Sequence, residues 1–220
     1  SHLLPGIDDG ATDAADSMEL MRGLQDLGFR KFITTPHIMS GLYPNTPQTI
    51  QFAFENLKVY AGSAIPLTPA AEYFLDEGFD ELREKDQPLL CIHDKTVLIE
   101  FSFADTPLNF KERIFELQLK GYQPLLAHPE RYLYFGSNRT AYDELRHAGC
   151  QFACNLLSFT GYYGKGPVEL ANYLLKKEYI DYLGTDLHHY RHLDALRKAQ
   201  AVMPVVQKLA DAGRLLNSTL

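Results

Sequence analysis

The chain has 220 residues, 45% hydrophobic and 22% charged, enough for one domain with a sizeable core and tight for two. A formal net charge of −7 speaks against a nucleic-acid partner, and no stretch approaches the roughly 18 consecutive apolar residues of a membrane span, so membrane insertion is not expected. Cys91, Cys150 and Cys154 form no CxxC pair, and none has an Arg six places on; a zinc ribbon and the Cys-x5-Arg phosphatase loop are both excluded, and buried thiols of a reducing cytoplasm are expected instead.

Short apolar runs alternate with amphipathic ones along the whole chain, with no repeat, low-complexity segment or linker to divide it. Thr12 or Asp13 caps a first helix with Met18, Met21, Leu24 and Leu27 on one face, stopped near Gly28. Lys31–Thr35 reads as a strand ended by Pro36, and Thr46-Pro47 opens a second helix through Ile50, Phe54 and Leu57. A strand over Leu67–Phe74 and a short helix over Phe79–Glu84 precede the buried strand Lys95–Phe101. Thr106-Pro107 opens a helix running to Lys120 and Gly121. Strand Gln123–Ala127, helix Thr140–Ala148, strand Gln151–Asn155, helix Val168–Lys177 and strand Tyr179–Gly184 follow, and a last helix over Leu193–Ala212 is interrupted or kinked near Pro204. Such alternation implies parallel strands with helical crossovers. The first helix has no strand before it; a seven-stranded β/α barrel lacking its first strand accounts for this most simply, with an open doubly wound sheet as the alternative.

Strand after strand ends in a side chain able to bind metal. His37 follows Phe-Ile-Thr-Thr-Pro, Glu72 follows the strand near Leu67, Glu100 closes Val-Leu-Ile, His128 follows Pro-Leu-Leu-Ala, and Asp186 with His188 follows Tyr-Leu-Gly-Thr. In a β/α barrel these carboxyl ends converge on one face, where active sites sit. The opening adds His2 and the pair Asp8-Asp9, giving the candidate set His2, Asp9, His37, Glu72, Glu100, His128, Asp186 and His188. Any one of these alone is more often a satisfied cap, but Glu100 lies inside an apolar run, where a carboxylate is costly to bury without a partner. Imidazole with carboxylate and no thiolate suits Mn, Fe or Zn rather than a structural zinc site. His93, His147, His189 and His192 lack such placement and are expected on the surface or in loops.

The opening Ser1-His-Leu-Leu-Pro-Gly-Ile-Asp-Asp-Gly-Ala11, then Thr35-Pro-His37, Ala71-Glu72, Ile99-Glu-Phe101, Ala127-His-Pro-Glu-Arg-Tyr132 and Thr185-Asp-Leu-His188, resembles the PHP superfamily, and within it the metal-dependent tyrosine-protein phosphatases of capsular and exopolysaccharide operons. The resemblance covers nearly the whole chain and implies a single PHP-type phosphoesterase domain over 1–220, an α/β fold of the distorted seven-stranded TIM-like barrel type with its first strand truncated. It implies up to three divalent metal ions, manganese first, with Fe, Zn and Mg as alternatives. His2, Glu72 and Asp186 would hold one ion, Glu72, Glu100 and His128 a second, and Asp9, His37 and His188 a third. The catalytic set would be Arg131, His188 and Arg191, with Arg131 on the substrate phosphate. The implied reaction is hydrolysis of a phosphotyrosine protein, a bacterial tyrosine kinase that regulates polysaccharide synthesis, by a metal-bridged hydroxide, in the cytoplasm and without a phosphoenzyme. Oligomeric state stays open.

Two departures stand out. The family opens on His-x-His, and this sequence starts at the middle residue, Ser1, so the first His and the first strand are missing from it. The family's Asp-x-His continues to Asn and a later Arg, whereas here Asp186-Leu-His-His-Tyr leads to Arg191. A small-molecule phosphatase such as histidinol phosphatase would use the same metals, and a non-catalytic metal-binding regulatory domain is the rival from another class.

Overall fold

Helix α1 (Ala14–Asp26) begins where Asp13 accepts the Asp16 backbone N–H, as its capping chemistry predicts. It buries Ser17, Leu20, Met21 and Leu24, while Leu27 stays 38% exposed, so the packed face is turned from the expected Met18–Leu27 stripe. The cause lies at Gly23: a Cβ there would stand 2.2 Å from Leu193 Cδ2, on helix α7 (Tyr190–Lys198). The missing side chain lets α7 pack close and sets the orientation of α1.

The computed structural model describes residues 1–62, 66–85, 87–199 and 202–220. They form two compact units, 1–92 with 186–198 and 93–185 with 199–220. In the first unit, β1 (Phe32–Thr34) pairs in parallel with β3 (Leu67–Pro69), and β2 (His37–Ile38) with β4 (Glu72–Phe74). The strand expected over Leu67–Phe74 is thus two segments. Pro36 and Pro69 have no N–H to give a ladder, yet the register carries straight across the break: Thr34 faces Pro69 and His37 faces Glu72, linked by Ala70 N–H to Thr34 O and Glu72 N–H to Pro36 O. His37 and Glu72 therefore begin the second segments, where they were expected to end the first, and they sit opposite each other. Between them in sequence, α2 (Pro47–Ala61) carries a capping box of Thr46 and Thr49 and ends at Gly62 with φ 74°. Helix α3 (Glu77–Glu84) starts two residues earlier than expected because Asp76 caps it.

In the second unit, β5 (Thr96–Glu100), β6 (Gln123–Ala127), β7 (Gln151–Asn155) and β8 (Tyr182–Gly184) pair in parallel in that order, with α4 (Phe110–Leu119), α5 (Thr140–His147) and α6 (Lys165–Lys177) between them. Every residue of β5 is buried. Thr106-Pro107 does not open α4; the chain turns first and enters the helix through Asn109 at φ 57°, in the left-handed region that Asn tolerates. Helix α6 starts at Lys165, after Gly164 at φ 94°, ahead of the expected Val168. The last expected helix is two, α7 in the first unit and α8 (Met203–Asp211) in the second, with Pro204 in the first turn of α8; residues 200–201 lie outside the described set. The fold is α/β with parallel pairing in both units. Among the described residues, no helix is long and apolar enough to cross a membrane.

Candidate metal centre

The chain's opening threads through the first unit. His2 N–H donates to Leu187 O, Leu3 N–H to Thr34 Oγ1, and Ala11 N–H returns to His2 O at 3.0 Å. Gly10 makes that return feasible, since a Cβ there would lie 2.2 Å from His2 O. His2 is fully buried, and its Nδ1 meets Asp8 Oδ2 at 2.7 Å. Asp8 is itself fixed by Gly10 N–H at 2.9 Å and His37 N–H at 3.2 Å. With Nδ1 held, His2 Nε2 points between Glu72 Oε2 and Asp186 Oδ1, 3.4 Å from each, and among the described residues makes no geometrically sound hydrogen bond. A carboxylate behind an imidazole whose other nitrogen faces more carboxylates is the usual support of a metal-ligating histidine.

A second grouping adjoins it. The His2 ring stacks on His188 with centroids 3.9 Å apart and lies 4.5 Å from His37. His37 Nε2 and His188 Nε2 both face Asp9 Oδ1, at 3.6 and 3.7 Å, while Asp9 keeps half its side chain in solvent. His188 Nδ1 lies 2.9 Å from Asp186 O, which leaves Nε2 as the outward nitrogen. Ligand atoms from His2, Asp9, His37 and His188, and from His2, Glu72 and Asp186, come within 4.8 Å of one another, spacing suited to divalent cations. His2 Nε2, buried amid carboxylates without a hydrogen bond among the described residues, is the atom a cation would satisfy, and a thiolate-free His/Asp/Glu donor set fits Mn, Fe or Zn. Asp186 holds φ 46°, a costly backbone for a non-glycine residue and one that clusters at functional sites.

Burial pushes the His2 imidazolium down, but Asp186, Asp8 and Glu72 together outweigh it and raise its pKa well above the ordinary value. Burial and then the His2 charge lower His37, and lower His188 to about 4. The metal-free protein therefore carries opposed dependences. His2, raised in the folded state, contributes stability fully present below about pH 6.5 and lost as pH rises towards its folded value. His37 and His188, lowered, cost stability as pH falls from about 6.5 towards 4, because the unfolded chain takes up those protons first. With chelator present, the denaturant midpoint is expected to peak near pH 6.5, roughly the unperturbed histidine value, and to fall on both sides. A midpoint rising steadily to alkaline pH would contradict this charge arrangement.

In the second unit, Glu100 ends β5 and His128 follows β6; both are buried, with His128 Nε2 3.5 Å from Glu100 Oε1. His128 sits at φ 35°, and a 3-10 turn over Pro129–Arg131 follows it. Glu130, fully buried, accepts from Asn155 N–H at 2.8 Å and Ser158 Oγ at 2.6 Å, tying this turn to the end of β7. Tyr132 Oη accepts from Phe101 N–H at 3.0 Å, tying it to the end of β5. Arg131 alone of the run turns out of the core, its guanidinium carbon 4.8 Å from the centre of the Phe103 ring and 4.5 Å from that of Tyr163.

Of the expected set, His2, Asp9, His37, Glu72, Asp186 and His188 gather in the first unit, and Glu100 with His128 and Arg131 in the second. Arg191 is exposed on the first turn of α7, and none of the contacts described for the cluster involves it. Three supporting residues escaped the sequence reading. Asp8 was noticed only as half of a pair, Glu130 only as part of a motif, and His192, expected at the surface, is buried with its Nδ1 accepting the His188 N–H at 3.2 Å. Burial pushes the Cys150 thiol up to about 12 and raises the Cys154 thiol as well, the latter helped by Glu130, which disfavours either as a nucleophile; Cys91, expected buried, is only half-buried.

Comparison with known proteins agrees. The family model for capsular polysaccharide synthesis proteins, CpsB/CapC, matches residues 1–211. Tyrosine-protein phosphatase YwqE of Bacillus subtilis is 33% identical over 193 residues, covering 86% of this chain and 76% of that protein. Tyrosine-protein phosphatase CpsB of Streptococcus pneumoniae is 25% identical over 198 residues, covering 86% of this chain and 81% of that one. A chain from the crystal structures of YwqE and CpsB, described as unique metal-dependent tyrosine phosphatases, matches with a TM-score of 0.81 and 30% identity over 92% of this chain and 83% of its own length.

Proposed function

The chain belongs to the CpsB/CapC family of capsular polysaccharide synthesis, and from that premise we infer that it is a metal-dependent tyrosine-protein phosphatase whose substrate is a phosphotyrosine protein, in particular a bacterial tyrosine kinase controlling polysaccharide synthesis. We place it in the cytoplasm and assign residues 1–220 to one PHP-type phosphoesterase domain. The observation that carries the reading is the His2 ring, anchored by Asp8 and aimed between Glu72 and Asp186. His2, Asp9, His37, Glu72, Glu100, His128, Asp186 and His188 are the proposed ligands, and manganese is the proposed metal. When bound, divalent cations supply Lewis-acid stabilisation of the phosphoryl oxygens and activate the attacking water. Asp8 and the Asp186 carbonyl fix which nitrogen of His2 and of His188 faces outward. Arg131 takes the phosphate through its fork of N–H donors. A tyrosine phenolate, whose conjugate acid has a pKa of about 10, departs with modest acid help. His188 and Arg191, the latter exposed on the first turn of α7, complete the proposed catalytic set.

The test is release of phosphate from a phosphotyrosine peptide with and without added manganese, beside His128→Ala. Manganese-dependent turnover lost in His128→Ala is expected. A folded wild-type protein that leaves the peptide intact at every manganese concentration would sink the reading, and turnover of histidinol phosphate in its place would move the assignment to small-molecule chemistry.

A further inference from the structure

Phe103 lies in the loop after β5 with half of its surface in solvent. Tyr163 lies in the loop before α6, partly buried. A lone exposed phenyl is ordinary on a protein surface. These two rings, however, meet on one guanidinium, 4.8 and 4.5 Å from their centres, inside the range of about 6 Å for attraction between a cation and an aromatic face. The Phe103 ring also stacks on His128, centroids 5.5 Å apart and planes 18° from parallel, and lies 5.6 Å from the Tyr132 ring. One phenyl ring therefore touches both ends of the His128–Arg131 turn, whose middle Glu130 anchors in the core.

We propose that Phe103 and Tyr163 are positioning residues that confine the Arg131 guanidinium between two rings and so direct it at the substrate phosphate. This rests on the assignment of Arg131 to the phosphate made above. The chemistry divides cleanly by direction. A guanidinium is planar and weakly hydrated; its faces stack on aromatic rings, while its donors lie in the plane and pair bidentately with phosphate oxygens. Two rings within 4.8 Å of the guanidinium carbon remove rotamers that would swing the fork away. Neither ring needs to touch the substrate.

The experiment measures KM and kcat for a phosphotyrosine peptide, and inhibition by inorganic phosphate, in the manganese-loaded protein. The variants are Phe103→Leu, Tyr163→Leu, Phe103→Tyr and Tyr163→Phe, each made in the wild type and in Arg131→Gln, with folding checked by circular dichroism. Phe103→Leu and Tyr163→Leu are expected to weaken phosphate inhibition and lower kcat/KM about fivefold each, as loss of one cation–aromatic contact implies. The aromatic replacements should stay within about twofold of wild type, since either ring retains the face. In Arg131→Gln the leucine changes should cost less than about twofold, because the group they position is gone. Equal losses in both backgrounds, or none in the wild type, would overturn the proposal. An Arg131→Gln enzyme as active as wild type would overturn the Arg131 assignment and the proposal with it, whereas a wild type inert on phosphotyrosine would overturn the phosphatase reading itself.

Discussion

His2→Ala is expected to remove tight metal binding from the first unit and to lower phosphotyrosine hydrolysis by about 10³-fold, the scale on which losing a preorganised electrostatic group acts on rate. The residue is fully buried, its Nδ1 is committed to Asp8, and its Nε2 is aimed between two carboxylates and close to two further imidazoles. Losing the ring takes one donor from both groupings at once. Asp8→Asn supplies the graded comparison. It keeps the His2 ring and weakens only its anchor, so metal affinity should fall about tenfold to a hundredfold, the usual cost of losing a residue behind a ligand. Metal content after gel filtration, followed by activity across a manganese titration, separates the two. Excess manganese should restore Asp8→Asn and leave His2→Ala inactive. A His2→Ala protein that retains the wild-type metal content would remove this cluster from the metal-binding account, and Asp186→Asn, made in parallel, guards against a failure to fold.

The strands with continuous apolar runs were legible in the sequence at their true limits: Gln123–Ala127 and Gln151–Asn155 are β6 and β7 as read, and Lys95–Phe101 contains β5. Burial on both faces makes a run of that kind unmistakable. His128, the proposed ligand that follows β6, was legible for the same reason, whereas β8 ahead of Asp186 is shorter than the expected Tyr179–Gly184 and only partly buried. The interruption of Leu67–Phe74 was not, because it depends on its neighbour: Pro36 on β1–β2 and Pro69 on β3–β4 break the ladder together while the register persists. The rotated face of α1 depends on Leu193 reaching Gly23 from the far end of the sequence, which no local periodicity reports. Residues behind the proposed ligands were hidden by a related limit. Nothing near Asp8 in sequence says that it, rather than Asp9, would take the His2 ring; that choice is made by the turn at Gly10 folding back on His2. Glu130 and His192 likewise act on groups brought close only by the fold, Asn155 and Ser158 in one case and the His188 backbone in the other. His192 has a helical neighbourhood typical of a surface residue, and its burial follows from where α7 packs.

Arg131→Lys is the second large effect, a fall of about 10²-fold in kcat/KM with metal content unchanged. The charge is kept, so a purely electrostatic role would lose little. The surroundings argue that shape matters more. An ammonium is a compact, strongly hydrated point charge that offers no flat face to Phe103 or Tyr163 and no parallel pair of donors to a phosphate. Glu130 holds the turn from below through Asn155 and Ser158, and Tyr132 holds it through Phe101, so the backbone beneath residue 131 has little room to adjust for a different side chain. The loss should appear in KM and in weaker inhibition by inorganic phosphate as well as in kcat, because a bidentate contact binds the ground-state phosphate before the transition state strengthens it. Manganese content and thermal midpoint should match the wild type, since Arg131 ligates nothing and its side chain lies outside the core. A lysine enzyme within about threefold of wild type, well short of the tenfold that about 1.4 kcal/mol of lost transition-state stabilisation produces, would show that positive charge alone suffices at this position, and the fork, with the two rings that face it, would then have no part in binding the phosphate.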